Sequence, residues 1–121
     1  LSQFAIGECY YRQGDFVSAA GGYAKVVMNY PASPWADDAQ ASVGWSYYKQ
    51  KEYGRALSEF SLVEQMFPQS DQVPAAKVQA ARCHLALGDR AAGEKELREV
   101  IQRFPGTKAS GDAQETLATI R

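Results

Sequence analysis

Apolar residues recur along this chain at spacings of three and four, a period typical of amphipathic α-helices. The clearest stretch begins near Ser33-Pro34 and runs to about Gln50, with its apolar positions at Ala36, Ala39, Val43, Gly44 and Tyr47. A second stretch ends at Pro68 and has apolar positions at Tyr53, Ala56, Leu57, Phe60, Val63 and Phe67. The pattern therefore predicts two helices joined by a turn at Lys51-Glu52, with Ser33 as N-cap and Pro34 at the first helical position.

The same layout returns every 37 residues. Aromatic-proline pairs mark the period at Tyr30-Pro31, Phe67-Pro68 and Phe104-Pro105. Turn positions mark it at Gly14-Asp15, Lys51-Glu52 and Gly88-Asp89, and small residues mark it at Ala19, Ala56 and Gly93. A fixed period of this length is typical of a solenoid, whose units bury their apolar faces by stacking on one another. We expect the small residues to lie where helices cross closely.

The fold class predicted from this periodicity is an all-α solenoid forming one domain over residues 1–121. It would hold three helix-turn-helix repeats at about 1–31, 32–68 and 69–105, followed by a capping helix at 107–120. In the second helices of the outer repeats the predicted buried positions are Phe16, Ala19, Tyr23, Val26 and Tyr30, and then Leu97, Val100, Ile101 and Phe104. The capping helix would bury Ala113, Leu117 and Ile120. The first helix begins at Leu1, Phe4 and Ile6 without a recognisable cap, so we expect further chain to precede it.

Composition and charge narrow the class of partner. The 121 residues carry a formal net charge of −1, so no basic field is present to hold a nucleic acid. The sequence contains no apolar run long enough to insert into a membrane. Cys9 and Cys83 lie two periods apart, which places them about 20 Å from each other in a stack of helices. A disulfide between them is therefore not expected, and both are interpreted as small, semi-buried thiols.

Candidate chemistry is sparse, and we expect neither a catalytic residue, a metal site nor a cofactor. His84 is the single histidine, and its counterparts in the earlier repeats are Tyr10 and Tyr47, which the pattern places toward the core. A partly buried packing role follows for His84. One histidine and two distant cysteines do not supply a zinc site. The sequence thus predicts a protein without enzymatic activity.

The spacing of these residues resembles the tetratricopeptide repeat (TPR) family, whose pattern runs W-x2-L-G-x2-Y, then A-x3-F, then P. Two repeats follow that order, first with Ile6-Gly7, Tyr10, Ala19, Tyr23 and Pro31, and then with Val43-Gly44, Tyr47, Ala56, Phe60 and Pro68. The third repeat is degenerate. The tryptophan position of the pattern holds Gln3, Gln40 and Lys77, and the period is 37 rather than 34. We expect the three extra residues, which follow each proline, to lengthen the next helix at its start.

The aromatic-Pro-x-Ser/Thr junctions and the ending Leu117-x-x-Ile120-Arg121 resemble more specifically the C-terminal repeat domain of Tol-Pal system proteins of the YbgF/CpoB type. Outer-membrane assembly lipoproteins of the BamD type have similar junctions. These resemblances imply a periplasmic adaptor of the Gram-negative cell envelope. The alternatives are a structural, self-assembling segment of a larger repeat protein, with self-association through its N-terminal end, or a component of outer-membrane assembly.

The TPR resemblance also implies that the first helix of each repeat lines a concave groove that binds a protein or peptide segment. The groove residues predicted on this basis are Phe4, Glu8, Tyr11, Arg12, Trp45, Tyr48, Lys49 and Arg82, and the same stripe includes Asp38, Ala41, Val78 and Leu85. Exposed aromatic residues and arginines are typical of interface hot spots. Two interpretations stay open for Trp45 and Tyr48, namely groove exposure and packing in the core between repeats. The positions that correspond to a clamp for a C-terminal carboxylate hold Phe4, Glu8, Ala41 and Trp45, with no asparagine and little positive charge. This argues against such a clamp and favours an apolar segment.

Overall fold

The structure, a computed structural model, describes residues 2–120. Within that range the chain forms seven helices and no strand. They are α1 (Gln3–Arg12), α2 (Phe16–Asn29), α3 (Ala36–Lys49), α4 (Tyr53–Met66), α5 (Val73–Ala86), α6 (Arg90–Arg103) and α7 (Lys108–Ile120). Each helix packs mainly on the next one along the chain. The predicted all-α solenoid is confirmed.

The hydrophobic core is divided into three equivalent clusters, one for each pair of helices. The first cluster lies between α1, α2 and α3 and includes Tyr23 and Val43. The second lies between α3, α4 and α5 around Phe60. The third lies between α5, α6 and α7 and includes Leu97 and Ala113, both fully buried. Every pair of helices therefore completes its core with the helix that follows, and α7 performs this role for the last pair.

The turn within each pair requires a left-handed backbone. Gly14 and Gly88 have φ values of 80° and 87° in the first and third turns. The equivalent residue of the second turn is Lys51, which adopts φ 63° without being glycine. Asp15 and Asp89 follow the glycines and accept hydrogen bonds from the backbone N–H groups of Ser18 and Ala92, which caps α2 and α6.

Close helix crossings explain the small residues of the repeat. Ala19 and Ala56 are fully buried. A Cβ added to Gly93 would lie 2.7 Å from Leu85 Cδ2, and one added to Gly44 would lie 2.8 Å from the Phe60 ring. Since real Cβ atoms do not approach so closely, a larger side chain would hold the helices apart. The predicted role of Ala19, Ala56 and Gly93 is confirmed.

The tryptophan position of the repeat pattern is occupied by polar residues that bond each first helix to its partner. Gln3 Nε2 donates to the carbonyl of Gly22 at 3.4 Å. Gln40 Nε2 donates to the carbonyl of Glu59 at 2.9 Å. Lys77 Nζ contacts Glu96 at 3.4 Å, again 19 residues further along the chain. A side-chain hydrogen bond or ion pair thus stands at the position where the family pattern has an aromatic side chain.

The connections after each proline differ from the sequence prediction. Helix α3 begins at Ala36, and Ser33 does not cap it, since the Ser33 hydroxyl accepts a hydrogen bond from the N–H of Trp35 within the connection. Tight turns with backbone bonds from Ser33 to Tyr30 and from Ala36 to Ser33 fill this segment, and the next connection repeats them at Ser70 and Val73. The extra residues of the period therefore form a turn and do not lengthen the following helix.

Four expectations at the start of the chain were also wrong. Ser2 caps α1, because its hydroxyl accepts a hydrogen bond from the N–H of Ala5 at 3.2 Å. Tyr10 is 39% exposed and Cys9 is exposed, since within residues 2–120 no helix packs on that side of α1. Tyr30, the C-cap of α2, is 58% exposed, and it lines a surface cleft with Phe4 and Trp35. Leu1 and Arg121, which the sequence analysis also used, lie outside the described residues.

Candidate protein-binding groove

A pocket of about 340 Å³ opens between α1 and α3, on the side formed by the first helices of the pairs. Its lining residues are Tyr11, Tyr23, Ser42, Trp45 and Lys49. Three of them were predicted as groove residues, namely Tyr11, Trp45 and Lys49. Tyr23 was predicted only as a core residue, and Ser42 was not predicted. The repeat gives no consistent indication of a hydroxyl at this position, because the counterparts of Ser42 in the other repeats are Ala5 and Gln79.

Edge-to-face aromatic contacts fix the walls of this pocket. On the first pair, Tyr11 packs against Phe16 at 5.1 Å and against Tyr23 at 6.5 Å between ring centroids. Burial raises the pKa of the Tyr11 and Tyr23 phenols, and nearby Glu8 raises that of Tyr23 further. Both hydroxyls therefore stay protonated at neutral pH and serve as hydrogen-bonding groups of the pocket.

Trp45 and Tyr48 combine the two roles that the sequence left open. The Trp45 ring meets Phe60 edge-on at 5.8 Å and Tyr48 at 5.7 Å, and Tyr48 in turn meets Tyr53 at 5.4 Å. Both side chains pack against the second core cluster and are only partly buried. Part of each ring thus belongs to the core and part stays accessible, and Trp45 also lines the pocket. A rigidly held, partly exposed aromatic side chain is suited to contact a partner at low entropic cost.

The rim of the pocket on α1 is charged. Arg12 pairs with Glu8 at 3.7 Å, with side-chain exposures of 79% and 42%, so the pair contributes little to stability. Phe4, by contrast, is not brought into this pocket. It packs against Tyr23 at 5.5 Å and lines a separate cleft of about 400 Å³ with Tyr30 and Trp35. Phe4 is therefore separated from the other predicted groove residues.

On α5 the predicted groove stripe has Arg82 at the position that Trp45 occupies on α3. Arg82 is partly buried beside Tyr48, whose pKa is raised by burial and lowered by the nearby guanidinium. Within residues 2–120 no carboxylate pairs with Arg82 or with Lys49. Ala41 and Val78 were expected on the groove surface, but they are 7% and 2% exposed and belong to the core clusters. We call the surface formed by Glu8, Tyr11, Arg12, Tyr23, Ser42, Trp45, Tyr48, Lys49 and Arg82 the groove face.

An ion network occupies the side formed by the second helices α4 and α6, and sequence reasoning did not find it. Lys77 Nζ lies 3.1 Å from Glu64, 3.4 Å from Glu96 and 2.9 Å from Glu99. Arg103 bridges Glu64 at 2.8 Å and Glu99 at 3.4 Å. The members come from three helices, so the network joins the second pair of helices to the third. The spacing between Glu64 and Arg103 gives no signal in a single sequence.

The charges of the ion network stabilise one another in their ionised forms. The hydrogen bond from Arg103 lowers the pKa of Glu64, and the hydrogen bond from Lys77 lowers that of Glu99. Burial lowers the pKa of Lys77, but its hydrogen bonds to Glu99 and Glu64 outweigh burial, so the net pKa is raised. All three groups therefore remain charged across the neutral range.

His84 and Cys83, the other candidates for reactive side chains, lie in packed surroundings. His84 is partly buried with Nε2 3.7 Å from Glu96. Cys83 is fully buried, and burial raises its pKa to about 11, which makes the thiol unreactive. Among residues 2–120 there is no cluster of histidine, cysteine and acidic residues arranged to bind a metal ion. Within the same range no helix has both the length and the hydropathy that crossing a bilayer requires.

Comparison with known families decides the classification. The model of the tetratricopeptide repeat matches residues 1–33 and 75–107, which together make up more than half of the chain. The chain belongs to the tetratricopeptide repeat family. The first matched segment contains α1 and α2, and the second contains α6 and all of α5 except its first two residues. The two segments begin 74 residues apart, which is two periods of 37.

Several solved structures share the fold at low sequence identity. The N-terminal domain of stress-induced protein-1 (STI-1) from C. elegans has a TM-score of 0.79 at 14% identity, covering 93% of this chain and 90% of its own. PcrH in complex with the chaperone binding region of PopD has a TM-score of 0.77 at 21% identity, with coverages of 98% and 87%. The first TPR of Spaghetti (RPAP3) bound to the HSP90 peptide SRMEEVD has a TM-score of 0.74 at 18% identity, with coverages of 98% and 90%. No curated protein sequence matches the chain.

Proposed function

We propose that this TPR domain is a protein-interaction scaffold that binds a segment of a partner protein along its groove face. The observation that carries the proposal is the pocket of about 340 Å³ between α1 and α3, walled by Tyr11 and Trp45 and rimmed by Lys49. Partly exposed aromatic side chains held by packing are the residues that dominate binding energy in protein interfaces. Two structures of similar fold, PcrH and Spaghetti (RPAP3), were solved with a bound protein region and a bound peptide. They support this type of ligand.

The chemistry of the groove face favours binding over catalysis. The three hydroxyl groups that line its pocket, on Tyr11, Tyr23 and Ser42, have no histidine or carboxylate base among the other lining residues. An acyl-transfer or hydrolytic reaction needs a nucleophile beside such a base. Hydroxyls and aromatic edges do suit the main chain and apolar side chains of a peptide. We therefore assign the groove face to recognition.

Selection of random peptides displayed on phage against the purified domain tests this function. We expect the selected peptides to bind the domain, with Trp45→Ala weakening binding about tenfold or more. Trp35→Ala is the matched control, because Trp35 is 55% exposed and lies in the connection before α3, outside the groove face. Circular dichroism melting of both variants shows that each is folded at the temperature of the assay. A selection without enriched peptides, or equal losses in the two variants, contradicts the assignment.

We further propose that the scaffold works in the Gram-negative cell envelope, in the periplasm, as an adaptor of the Tol-Pal type. The support is the resemblance of the three aromatic-proline junctions to repeat domains of that system. Osmotic-shock fractionation of cells of the source organism, probed with an antibody against this domain, tests the location. We expect the protein in the periplasmic fraction together with cross-links to Tol-Pal components. Recovery with the cytoplasmic markers contradicts the proposal and leaves the peptide-binding function standing.

Self-association through the first repeat is a second candidate function. Tyr10 is 39% exposed and Ile6 is partly exposed, whereas Val43, the counterpart of Ile6, is 3% exposed. An exposed apolar stripe of this kind can pack against a second copy. Light scattering over a range of concentrations tests it. A concentration-dependent dimer that Tyr10→Ser disrupts supports assembly, and a monomer at every concentration contradicts it.

A further inference from the structure

The chemical character of the groove face changes from one repeat to the next. Glu8, Trp45 and Arg82 are 37 residues apart, so they occupy the same position on α1, α3 and α5. Equivalent positions of a solenoid lie side by side along one surface. The groove face therefore carries an acidic, an aromatic and a basic residue in succession across three neighbouring helices.

The two charged residues of this row, Glu8 and Arg82, differ in whether a neighbouring side chain pairs with them. Glu8 pairs with Arg12 on its own helix at 3.7 Å, so its charge is partly neutralised. Arg82 has no carboxylate partner within residues 2–120, and Lys49, on the rim of the aromatic pocket, has none either. The half of the groove face formed by α3 and α5 thus presents two cations without an internal counter-charge.

A second unsatisfied group accompanies Arg82. Gln79 precedes Arg82 by three residues on α5, a spacing that places both on the same side of the helix. Gln79 is 7% exposed, and its Oε1 atom is buried without a hydrogen-bond donor. Buried polar atoms are almost always bonded, so this acceptor is an exception, and its residue lies on the same side of α5 as the unpaired guanidinium. A carboxylate on a partner segment is complementary to this unpaired guanidinium.

We infer that the partner segment is an acidic, apolar peptide, in which an aromatic or aliphatic side chain packs on Trp45 and a neighbouring aspartate or glutamate pairs with Arg82. The inference rests on the proposed binding function and specifies the chemistry of its ligand. The carboxylate belongs to a side chain within the segment, because the stripe continues beyond Arg82 onto α7 at Glu115 and Thr119. A segment can therefore pass Arg82 without ending there.

Charge reversal on both partners tests the inference. The probes are phage-displayed peptides, which have no free C-terminus, and synthetic copies with amidated ends in which each acidic residue is replaced by glutamine or lysine. For the acidic peptide we expect affinity to fall about tenfold or more with Arg82→Glu. The lysine peptide should bind Arg82→Glu better than it binds the wild type. Lys25→Glu makes the same charge change at an exposed residue of α2 and should leave both affinities unchanged.

The outcomes separate this inference from the function on which it rests. Selected peptides that lose affinity with Trp45→Ala but contain no enriched acidic residue, or that are indifferent to Arg82→Glu, overturn the inference and leave groove binding intact. Synthetic copies that bind with a free C-terminal carboxylate but lose affinity when that end is amidated also overturn it. If no peptide depends on Trp45, both the inference and the proposed function are wrong.

Discussion

On the side of α4 and α6, the charged side chains of the ion network pair with one another, whereas two cations of the groove face have no carboxylate partner within residues 2–120. Lys77 contacts three glutamates at 2.9 to 3.4 Å, and Arg103 bridges two of the same glutamates. On the groove face, Arg82 and Lys49 have no such partners within residues 2–120. The aromatic side chains show a similar contrast in their exposure to solvent. Phe60 is 2% exposed, whereas Trp45, which touches it, keeps part of its ring open to solvent.

This contrast separates the residues that hold the stack together from those that remain for a partner. A side chain whose contacts are all internal contributes to the free energy of unfolding, and its replacement should leave binding unchanged. A side chain with unused contacts contributes little to folding and can contribute fully to an interface. The two faces of this TPR domain should therefore respond oppositely to substitution, and each of the following predictions tests that difference.

The largest loss of stability is expected for Lys77→Met. The side chain of Lys77 is 13% exposed, and its removal leaves three glutamates close together with only Arg103 to balance them. Breaking a mostly buried ion pair costs about 2–4 kcal/mol in the free energy of unfolding. Urea unfolding measures this cost. Affinity for a groove peptide should equal that of the wild type below the melting temperature, and a loss of affinity without a loss of stability contradicts the division of roles.

Gly44→Ala should disturb both faces at once. The added Cβ would lie 2.8 Å from the buried Phe60 ring, which also supports Trp45 from the core side. We expect a loss of about 1–3 kcal/mol in stability together with weaker peptide binding, because the movement of Phe60 displaces Trp45. Gly21→Ala is the matched control in α2, since its Cβ meets nothing within 4 Å. It should stabilise the fold by about 0.5–1 kcal/mol and leave binding unchanged.

Acid should weaken the ion network by protonating its glutamates. The pKa values of Glu64 and Glu99 are lowered in the folded state by Arg103 and Lys77, so their stabilising effect is complete above the unfolded value of about 4.3. It is lost as pH falls through the lower folded values. We expect the melting temperature of the wild type to drop more steeply below about pH 4.3 than that of Lys77→Met. Parallel curves contradict the assignment of this stability to the network.

Lys51→Gly should have the smallest effect and should touch neither face. Lys51 adopts φ 63° in the turn between α3 and α4, where the equivalent residues are Gly14 and Gly88. A non-glycine residue in the left-handed region is strained by about 1 kcal/mol, part of which glycine recovers. We expect thermal melting to show a stabilisation of about 0.5 kcal/mol with unchanged peptide affinity. A destabilised variant means that Lys51 makes contacts that the strain argument ignores.

The sequence alone predicts most of this fold, because the same turn residues and small buried residues recur in each of the three repeats. The turn positions Gly14, Lys51 and Gly88 and the buried alanines Ala19 and Ala56 follow directly from it. The predictions fail where equivalent positions of the repeat have different neighbours in the structure. Tyr10 shares its position with Tyr47, but only Tyr47 has a preceding pair of helices to pack against within the described residues.

The groove face is less predictable than the fold, since sequence spacing gives the side of a helix but not the depth of a side chain. Trp45 and Tyr11 were placed in the groove by spacing, and the same spacing wrongly placed Val78 at the surface, where it is 2% exposed. Phe4 turns instead toward a neighbouring cleft. The ion network depends on residues from three helices, among them Glu64 and Arg103, which are 39 residues apart. Only the folded arrangement brings them together.

The two tryptophans allow the division between the faces to be tested in one spectrum. Trp45 lies on the groove face, and Trp35 is exposed in the connection before α3. In an ¹⁵N–¹H correlation spectrum each indole gives one N–H signal that can be followed during titration with a selected peptide. We predict that the Trp45 signal shifts together with the backbone amides of Tyr48 and Arg82, while the Trp35 signal and the amides around Glu64 and Glu99 stay in place. Shifts concentrated on α4 and α6, with the Trp45 indole unmoved, would contradict the assignment of the groove face as the binding surface.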